Sequence, residues 1–406
     1  MPKILTWSLG VQHELYRNAM VEVRYLGTRG LSLPVQYRRN FISAFDAGLA
    51  PLPTFFDPAT VPTTYTASTP TDAPFNSFNP NIYSQFGFNG VITSDPDFGS
   101  STYNAISVNF TQRARRGLTL NANYTFGHTL DNSTNEFFTS FLNPRRAQDT
   151  NRLSNDWSSS DLDVRHKFAL SLIYQTPTMQ NGDRFVRGLV NGYQIGSVFL
   201  LQSGQPVTLQ SSNIDSNINF DVAGDRVSRS PSGVGNTGSD VLAVCELPGG
   251  TTGLSNASPG SNIPLGIANG GACFNPADPT GGTFFPAIGY TPVNPTAAYV
   301  VTGPGAASNV GRNSFYSPGF RVWNLSLGKD IPFNESKHLQ LRVDAFNIVN
   351  HPNFSLSNGN ILSNAGVTAA TSTHGYVFPT DPNFLSAPSW FSGGIRSLTL
   401  GAKFVF

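Results

Sequence analysis

The chain of 406 residues is 39% hydrophobic and 12% aromatic but only 12% charged, with 25 Lys and Arg against 24 Asp and Glu and a formal net charge of +1. It is too aromatic for a disordered chain, and the balanced charge lacks the basic footprint that nucleic-acid binding requires. A charged fraction about half that of an average soluble protein means that much of the surface faces something other than water, yet no hydrophobic run reaches the roughly 18 residues of a spanning helix, which excludes a helical membrane protein.

The opening Met1-Pro2-Lys3-Ile4-Leu5-Thr6-Trp7-Ser8 lacks the basic, apolar and small-residue succession of a secretory signal, so an N-terminal portion is expected to be missing. From there the apolar period is two almost throughout, which predicts strands with one greasy and one polar face. Trp7, Leu9 and Val11 alternate with Ser8, Gly10 and Gln12, and Val21, Val23 and Tyr25 with Glu22 and Arg24. Next come Ile106, Val108 and Phe110, then Leu118, Leu120, Ala122, Tyr124 and Phe126, then Phe168, Leu170, Leu172 and Tyr174. A strand-like run over 189–209 alternates untidily. Trp323, Leu325 and Leu327, then Leu339, Leu341, Val343 and Ala345, then Leu398, Leu400, Ala402, Phe404 and Phe406 complete about nine strands.

The connections are of two kinds. Polar turns with Gly or Asn available fall near 17–19, 115–117, 178–187 and 334–337, and long loops rich in Gly, Pro, Ser, Thr and Asn span about 34–103, 133–164, 210–319 and 355–394. Short and long alternate without a break, so all long loops leave one rim. Outer-membrane barrels have this asymmetry, with long extracellular loops and short periplasmic turns. Hydrocarbon offers backbone groups no partner, so strands span a bilayer only as a closed sheet, whereas an odd count of about nine does not close by itself. The fold expected is all-β: an antiparallel transmembrane β-barrel segment, the C-terminal portion of a larger barrel over 1–406, with Phe406 at the periplasmic edge.

Five stretches carry a family resemblance, in the family's order and over nearly the whole chain. They are 21–30 (Val-Glu-Val-Arg-Tyr-Leu-Gly-Thr-Arg-Gly), 120–131 (Leu-Asn-Ala-Asn-Tyr-Thr-Phe-Gly-His-Thr-Leu-Asp), 163–168 (Asp-Val-Arg-His-Lys-Phe), 202–206 (Gln-Ser-Gly-Gln-Pro) and 339–354 (Leu-Gln-Leu-Arg-Val-Asp-Ala-Phe-Asn-Ile-Val-Asn-His-Pro-Asn-Phe). The chain resembles the C-terminal barrel of TonB-dependent outer-membrane receptors, specifically the Oar-like group. That resemblance implies energised import through a barrel of about 22 strands with an N-terminal plug, driven by a TonB-type energy-transducing complex of the inner membrane. Neither the plug domain nor the segment that contacts that complex is found in this sequence. The expected function is ligand binding and gated passage across the outer membrane, with no bond chemistry, no cofactor and no enzyme activity.

Individual motifs fit this frame. Leu400, Phe404 and Phe406 resemble the terminal signal by which the barrel assembly machinery recognises its clients through strand addition. Trp7, Tyr25, Phe110, Tyr124, Phe126, Tyr174, Trp323 and Phe333 fall near strand ends, where amphipathic rings meet outer-membrane lipid headgroups. Tyr37, Phe41, Phe55, Phe56, Tyr65, Phe137, Phe138 and Trp157 lie on the long loops as stacking surfaces for an unidentified small-molecule, oligosaccharide or peptide ligand. Cys245 and Cys273 share the longest loop and are expected to form a disulfide in an oxidising surface compartment.

Asp215, Asn217, Asn219, Asp221 and Asp225 resemble a metal loop, but Phe220 and Arg226 stand where an EF-hand needs Gly and Glu, so no metal site is expected and a polar stripe above the membrane is favoured. Asp163, Arg165 and His166 are expected to bond at the rim and not to act as an acid/base group. Glu22, Arg24, Lys167, Arg342, Asp344 and Lys403 fit the polar lining of a wet interior. Two other classes remain: a structural or adhesive barrel that only displays loops, and a secreted all-β binding module.

Overall fold

The computed structural model describes the chain except for residues 134–145, 212–213, 223, 255–284, 335, 356–377, 381–383, 386–388 and 393–394. Nine long strands form one sheet: β1 Lys3–Tyr16, β2 Ala19–Leu33, β3 Gly99–Arg115, β4 Leu118–Asp131, β5 His166–Gln175, β6 Tyr193–Gln202, β7 Phe320–Pro332, β8 His338–Phe346 and β9 Ser397–Val405. They neighbour one another in chain order, every pair antiparallel, and the short strand Ser158–Ser159 adds beside the end of β4.

The register carries one apolar face across the whole sheet. Leu9 lies opposite Tyr25, Tyr25 opposite Ile106 and Ile106 opposite Phe126. Tyr124 then faces Phe168, Leu170 faces Phe199, and Phe199 faces Trp323. Leu327, Val343 and Leu400 close the row at the last three strands. The other face is polar over much of its width, with Glu22, Asn109 and Asn123 in one row and Ser326, Asp344 and Thr399 in another. A slip of one residue in any pairing would turn a strand's aliphatics inward, and this penalty fixes the register at every step.

Among the described residues no second layer covers the apolar face. Among the described residues, the buried apolar side chains of the nine strands are three alanines, Ala19, Ala105 and Ala345, while Leu9 is 72% exposed and Leu400 79%. A sandwich would bury these aliphatics between its sheets, so this observation speaks against the rival reading of a secreted all-β module.

Connections of 34–98, 132–165, 203–319 and 347–396 leave one rim. At the other rim, 17–18, 116–117 and 333–337 are tight, and Arg116 and Gly117 both take positive φ, 50° and 81°, as a two-residue hairpin turn requires. A Cβ on Gly117 would stand 2.1 Å from the Gln175 carbonyl oxygen, so both conformation and space demand glycine. The fourth turn departs from the sequence expectation. It spans 176–192 and contains a helix, α1 Arg184–Val190, which covers the end of the expected polar turn and the first residues of the expected strand-like run. Asp183 caps it by accepting from Phe185 N at 2.8 Å.

The core of the molecule lies in the long loops. Leu52, Phe56 and Phe75 of the first loop pack with Ile214, Val241, Tyr290 and Val300 of the third. Short strands give this unit its frame: Val241–Leu247 pairs with Thr251–Leu254 on one side and Ala287–Pro292 on the other, and Ala297–Val300 lies between Ser228–Arg229 and Val234–Ser239. A second cluster joins Val207, Leu209 and Val227 to Phe378, Phe384 and Leu385 of the fourth loop.

Candidate functional site

Two surfaces combine at the long-loop rim: the concave polar face of the sheet and the folded loop unit. The concave face holds a hollow of about 380 Å³ in which Gln194, Asn324, Ser326, Arg342 and Asp344 stand beside the apolar Ile173, Val198 and Phe346. Arg342 Nε donates to Asp344 Oδ1 at 2.9 Å, so this lining presents paired charge and neutral polar groups in place of a lone cation. Further round, Asn123 Nδ2 donates to Ser107 Oγ at 3.1 Å and Asn121 Nδ2 to Thr111 Oγ1 at 3.1 Å, a ladder of polar groups with solvent-facing capacity left over.

The loops are locked to one another by buried arginine–carboxylate pairs. Arg146 of the second loop donates from Nη2 to Asp221 Oδ1 of the third at 2.7 Å, and its Nε bonds Oδ2, a bidentate fork. Arg38 of the first loop lies 3.2 Å from the same carboxylate and donates to the Phe220 carbonyl at 2.6 Å. Asp156 pairs with Arg226, and Asp131 at the end of β4 pairs with Arg312. Burial, then the neighbouring Arg312, lowers the Arg226 guanidinium to about 10. Burial also raises Asp215 to about 6 and Asp225 well above the ordinary carboxylate range.

The Asp-rich run of the third loop is spent on the protein itself: Asp221 on Arg146 and Arg38, Asp215 and Asp225 on their own stretch of chain. Asp215 accepts from Asn219 N at 3.0 Å and Phe220 N at 2.6 Å, and Asp225 accepts from Ser216 N at 3.1 Å and Ser216 Oγ at 3.0 Å. Among the described residues no group of three or more His, Cys, Asp and Glu is arranged to hold an ion. In the second loop Asp163 accepts from Thr129 N at 2.7 Å and pairs with Arg165 at 3.2 Å, and the Arg165 carbonyl accepts from Gly127 N at 3.0 Å, so both residues tie the loop to β4.

The loop aromatics divide. Phe41 and Phe56 are buried at 6% and 4%; Phe56 belongs to the packing of the loop unit, and the Phe41 ring stands edge-on to Phe220 at 5.7 Å. Phe55 lies against Gly289, where a Cβ would stand 2.3 Å from the ring. Tyr37 is half-buried, with its hydroxyl donating to Asn151 Oδ1 at 2.8 Å. Tyr65 is half-buried and Trp157 is exposed. Phe137 and Phe138 lie outside the described residues, as does Cys273, whereas Cys245 is buried in the middle strand of the loop sheet. The structure adds Ile82, Tyr83, Phe86, Phe88, Val91 and Phe98, an exposed apolar run on the first loop that ends beside Tyr37, whose ring stands edge-on to Phe98 at 6.1 Å. Gly- and Asn-rich surroundings hid this cluster in the sequence, and only its aromatic density marked it.

At the other rim Phe404 stacks on Phe406 at 6.2 Å and stands 6.0 Å from Phe333, and Leu400, Phe404 and Phe406 are all exposed. Tyr174 and Tyr193 sit at the same level on β5 and β6.

The nine-stranded sheet with a naked apolar face and a polar concave face is that of a membrane-embedded wall. The chain belongs to the outer membrane beta barrel domain family, whose model matches residues 1–377. It is accordingly a protein of the cell outer membrane. No curated protein matches it. Among solved structures it is similar to the outer membrane transporter YddB from Escherichia coli, at 9% identity and a TM-score of 0.34, covering 100% of this chain and 32% of that one. It is also similar to BauA, the ferric preacinetobactin receptor from Acinetobacter baumannii, at 9% identity and a TM-score of 0.38, covering 99% and 29%. A third is the ferripyoverdine receptor of the outer membrane of Pseudomonas aeruginosa, at 8% identity and a TM-score of 0.35, covering 100% and 27%. The chain thus spans about a third or less of the length of these structures.

Proposed function

We propose that the chain is the C-terminal barrel region of a TonB-dependent receptor of the Oar-like group, which captures a ligand at its extracellular loops and passes it through the lumen when an inner-membrane complex supplies energy. One observation carries this reading: loops from a single rim fold into one unit over a polar concave wall, so a captured solute has a path from a shaped surface to a wet interior. The exposed aromatics Tyr83, Phe86, Phe88 and Phe98, with Tyr37 and Trp157, are the proposed contacts for a small molecule, oligosaccharide or peptide carrying apolar or ring faces.

In this reading the nine strands are part of a larger barrel of about 22, the long loops face the exterior and the short turns face the periplasm. Cys245 and Cys273 close the third loop as a disulfide, so a thiol reagent labels neither residue until reductant is added. The terminal Leu400, Phe404 and Phe406 are offered to the barrel assembly machinery.

The test is uptake by cells that produce the protein. Accumulation of the ligand should stop when the proton gradient is collapsed and should fall several-fold when Phe86 and Phe88 are both replaced by Ser. Uptake that survives both treatments refutes the proposal. Binding without any gradient-dependent accumulation assigns the protein instead to surface display.

A further inference from the structure

Among the described residues, helix α1 is the one element of the short-turn rim with an apolar surface of its own. Asp183 starts it and Asn191 ends it, with the Asn191 side chain clamping Met179 by accepting from its N at 2.7 Å and donating to its carbonyl at 3.0 Å. The helical period gathers Phe185, Val186, Leu189 and Val190 on one side and leaves Arg187 and Gly188 on the other. All four apolar residues are exposed, Phe185 at 79% and Leu189 at 60%. A seven-residue helix has little stability of its own, so something must hold it in place and something must cover that side.

What holds it is visible. Lys329 of β7 donates from Nζ to the carbonyls of Gly188 at 2.8 Å and Leu189 at 3.1 Å, and also to that of Asn191, which satisfies the helix C-terminus with a cation. The same ammonium lies 4.0 Å from the centre of the Tyr193 ring. Tyr193 and Lys329 are register partners on the row that continues through Ile195 and Leu327, which is the apolar, lipid-facing side of the wall. The helix is therefore fastened to the outside of the barrel at the rim and not beneath its lumen.

We infer that α1 is an in-plane membrane anchor, lying on the phospholipid leaflet at the short-turn rim with Phe185, Val186, Leu189 and Val190 among the upper acyl chains. Continuity with the lipid-facing wall identifies the occupant. The exposed face extends a surface already bathed in lipid, at the level where Tyr174, Phe333 and Phe404 form an aromatic belt. Arg187 on the opposite side suits the phosphate layer, as in other amphipathic interfacial helices.

The experiment places a benzophenone amino acid at Phe185, Leu189 or Leu400 in the full chain, reconstituted in vesicles of phosphatidylethanolamine and phosphatidylglycerol. After irradiation, mass spectrometry should find phospholipid adducts at all three positions. Lys329→Gln should lower the adduct at 189 several-fold and leave that at 400 unchanged. Adducts at 400 but none at 185 and 189, or cross-links from these two only to protein, would overturn the inference. So would the absence of lipid adducts at 400, because the wall would then not face lipid either.

Discussion

Gly27 sets the local surface of the wall by what it lacks. Trp7 on the neighbouring strand lies over it, and a Cβ at this position would stand 2.1 Å from the indole Cε2. The ring thus fills the groove a side chain would occupy and is held flat against the lipid-facing surface, where an amphipathic aromatic is most at home. Gly27→Val should expel the indole and destabilise the pairing of β1 with β2 by about 1–3 kcal/mol, the usual cost of overpacking. The readout is the temperature at which the folded form loses its fast migration on semi-native gels; an unchanged temperature contradicts the contact. Asp72 is a second residue whose local chemistry has a measurable outcome. Its Oδ1 accepts from Ala287 N at 3.0 Å inside the loop unit, and burial raises its carboxyl from 3.8 to about 6. A raised acid binds its proton more tightly folded than unfolded. The loop unit should therefore gain stability as pH falls from about 6 toward about 4, and pay up to about 3 kcal/mol for the ionised group above that window. Asp72→Asn keeps the acceptor and removes the charge. At pH of about 8 it should stabilise the loop unit by about 1–2 kcal/mol, measured as slower proteolysis of the loops, while a variant that is cleaved faster refutes the sign.

At the scale of the element, β9 has one observed job and one proposed job, and the two can be separated. It closes the sheet against β8 through an in-register row from Ala345–Leu398 to Leu339–Phe404, and it presents Phe404 and Phe406 at the rim. Replacing both phenylalanines by Ser should lower the assembled fraction in cells several-fold while leaving refolding in detergent micelles nearly intact. Equal loss in both settings would mean that the rings serve the wall and not recognition by strand addition. The wall strands were legible in the sequence because a two-sided wall writes its two environments into alternate residues, as with Leu339, Leu341 and Val343 against Gln340, Arg342 and Asp344. Even the untidy strand has a reason: on β6 the apolar row is interrupted by Ser197, whose Oγ accepts from Trp323 Nε1 at 2.9 Å, while Val198 stands on the opposite face. Helix α1 was not legible, because seven residues give fewer than two full turns of pattern and Leu189 and Val190 run straight into the apolar row of β6. The loop unit was hidden for another reason. Phe56 meets Tyr290, and Arg146 meets Asp221 75 residues away, only after the wall has brought the rims together. Phe41 and Phe56 therefore looked like exposed stacking surfaces, and Phe86 and Phe88, which are exposed, carried no periodic signal.

At the scale of the whole molecule, wall and loop unit obey different physics and should come apart independently. The wall has almost no buried side chains of its own and depends on backbone pairing in a medium that offers backbone groups no alternative. The loop unit has a water-excluded core and buried ion pairs, and each pair joins segments that leave the rim at different places. Asp156 and Arg226 are the most telling pair, since they tie the second loop to the third and are both nearly inaccessible. Arg226→Met would leave the Asp156 carboxylate buried with its principal partner removed, a change that costs about 3–5 kcal/mol in comparable sites. Protease should then cut the 132–165 and 203–319 segments together, at a rate raised by at least an order of magnitude, while the heat resistance of the sheet stays as it was. The double variant Asp156→Leu with Arg226→Met should recover much of the protection, because an apolar pair of similar volume avoids the stranded charge. If the single variant also melts the sheet, the two parts share one cooperative transition. Under the proposed receptor function, a rearrangement of the loops would then be unable to leave the wall at rest, and capture at the rim would have to act through the barrel itself.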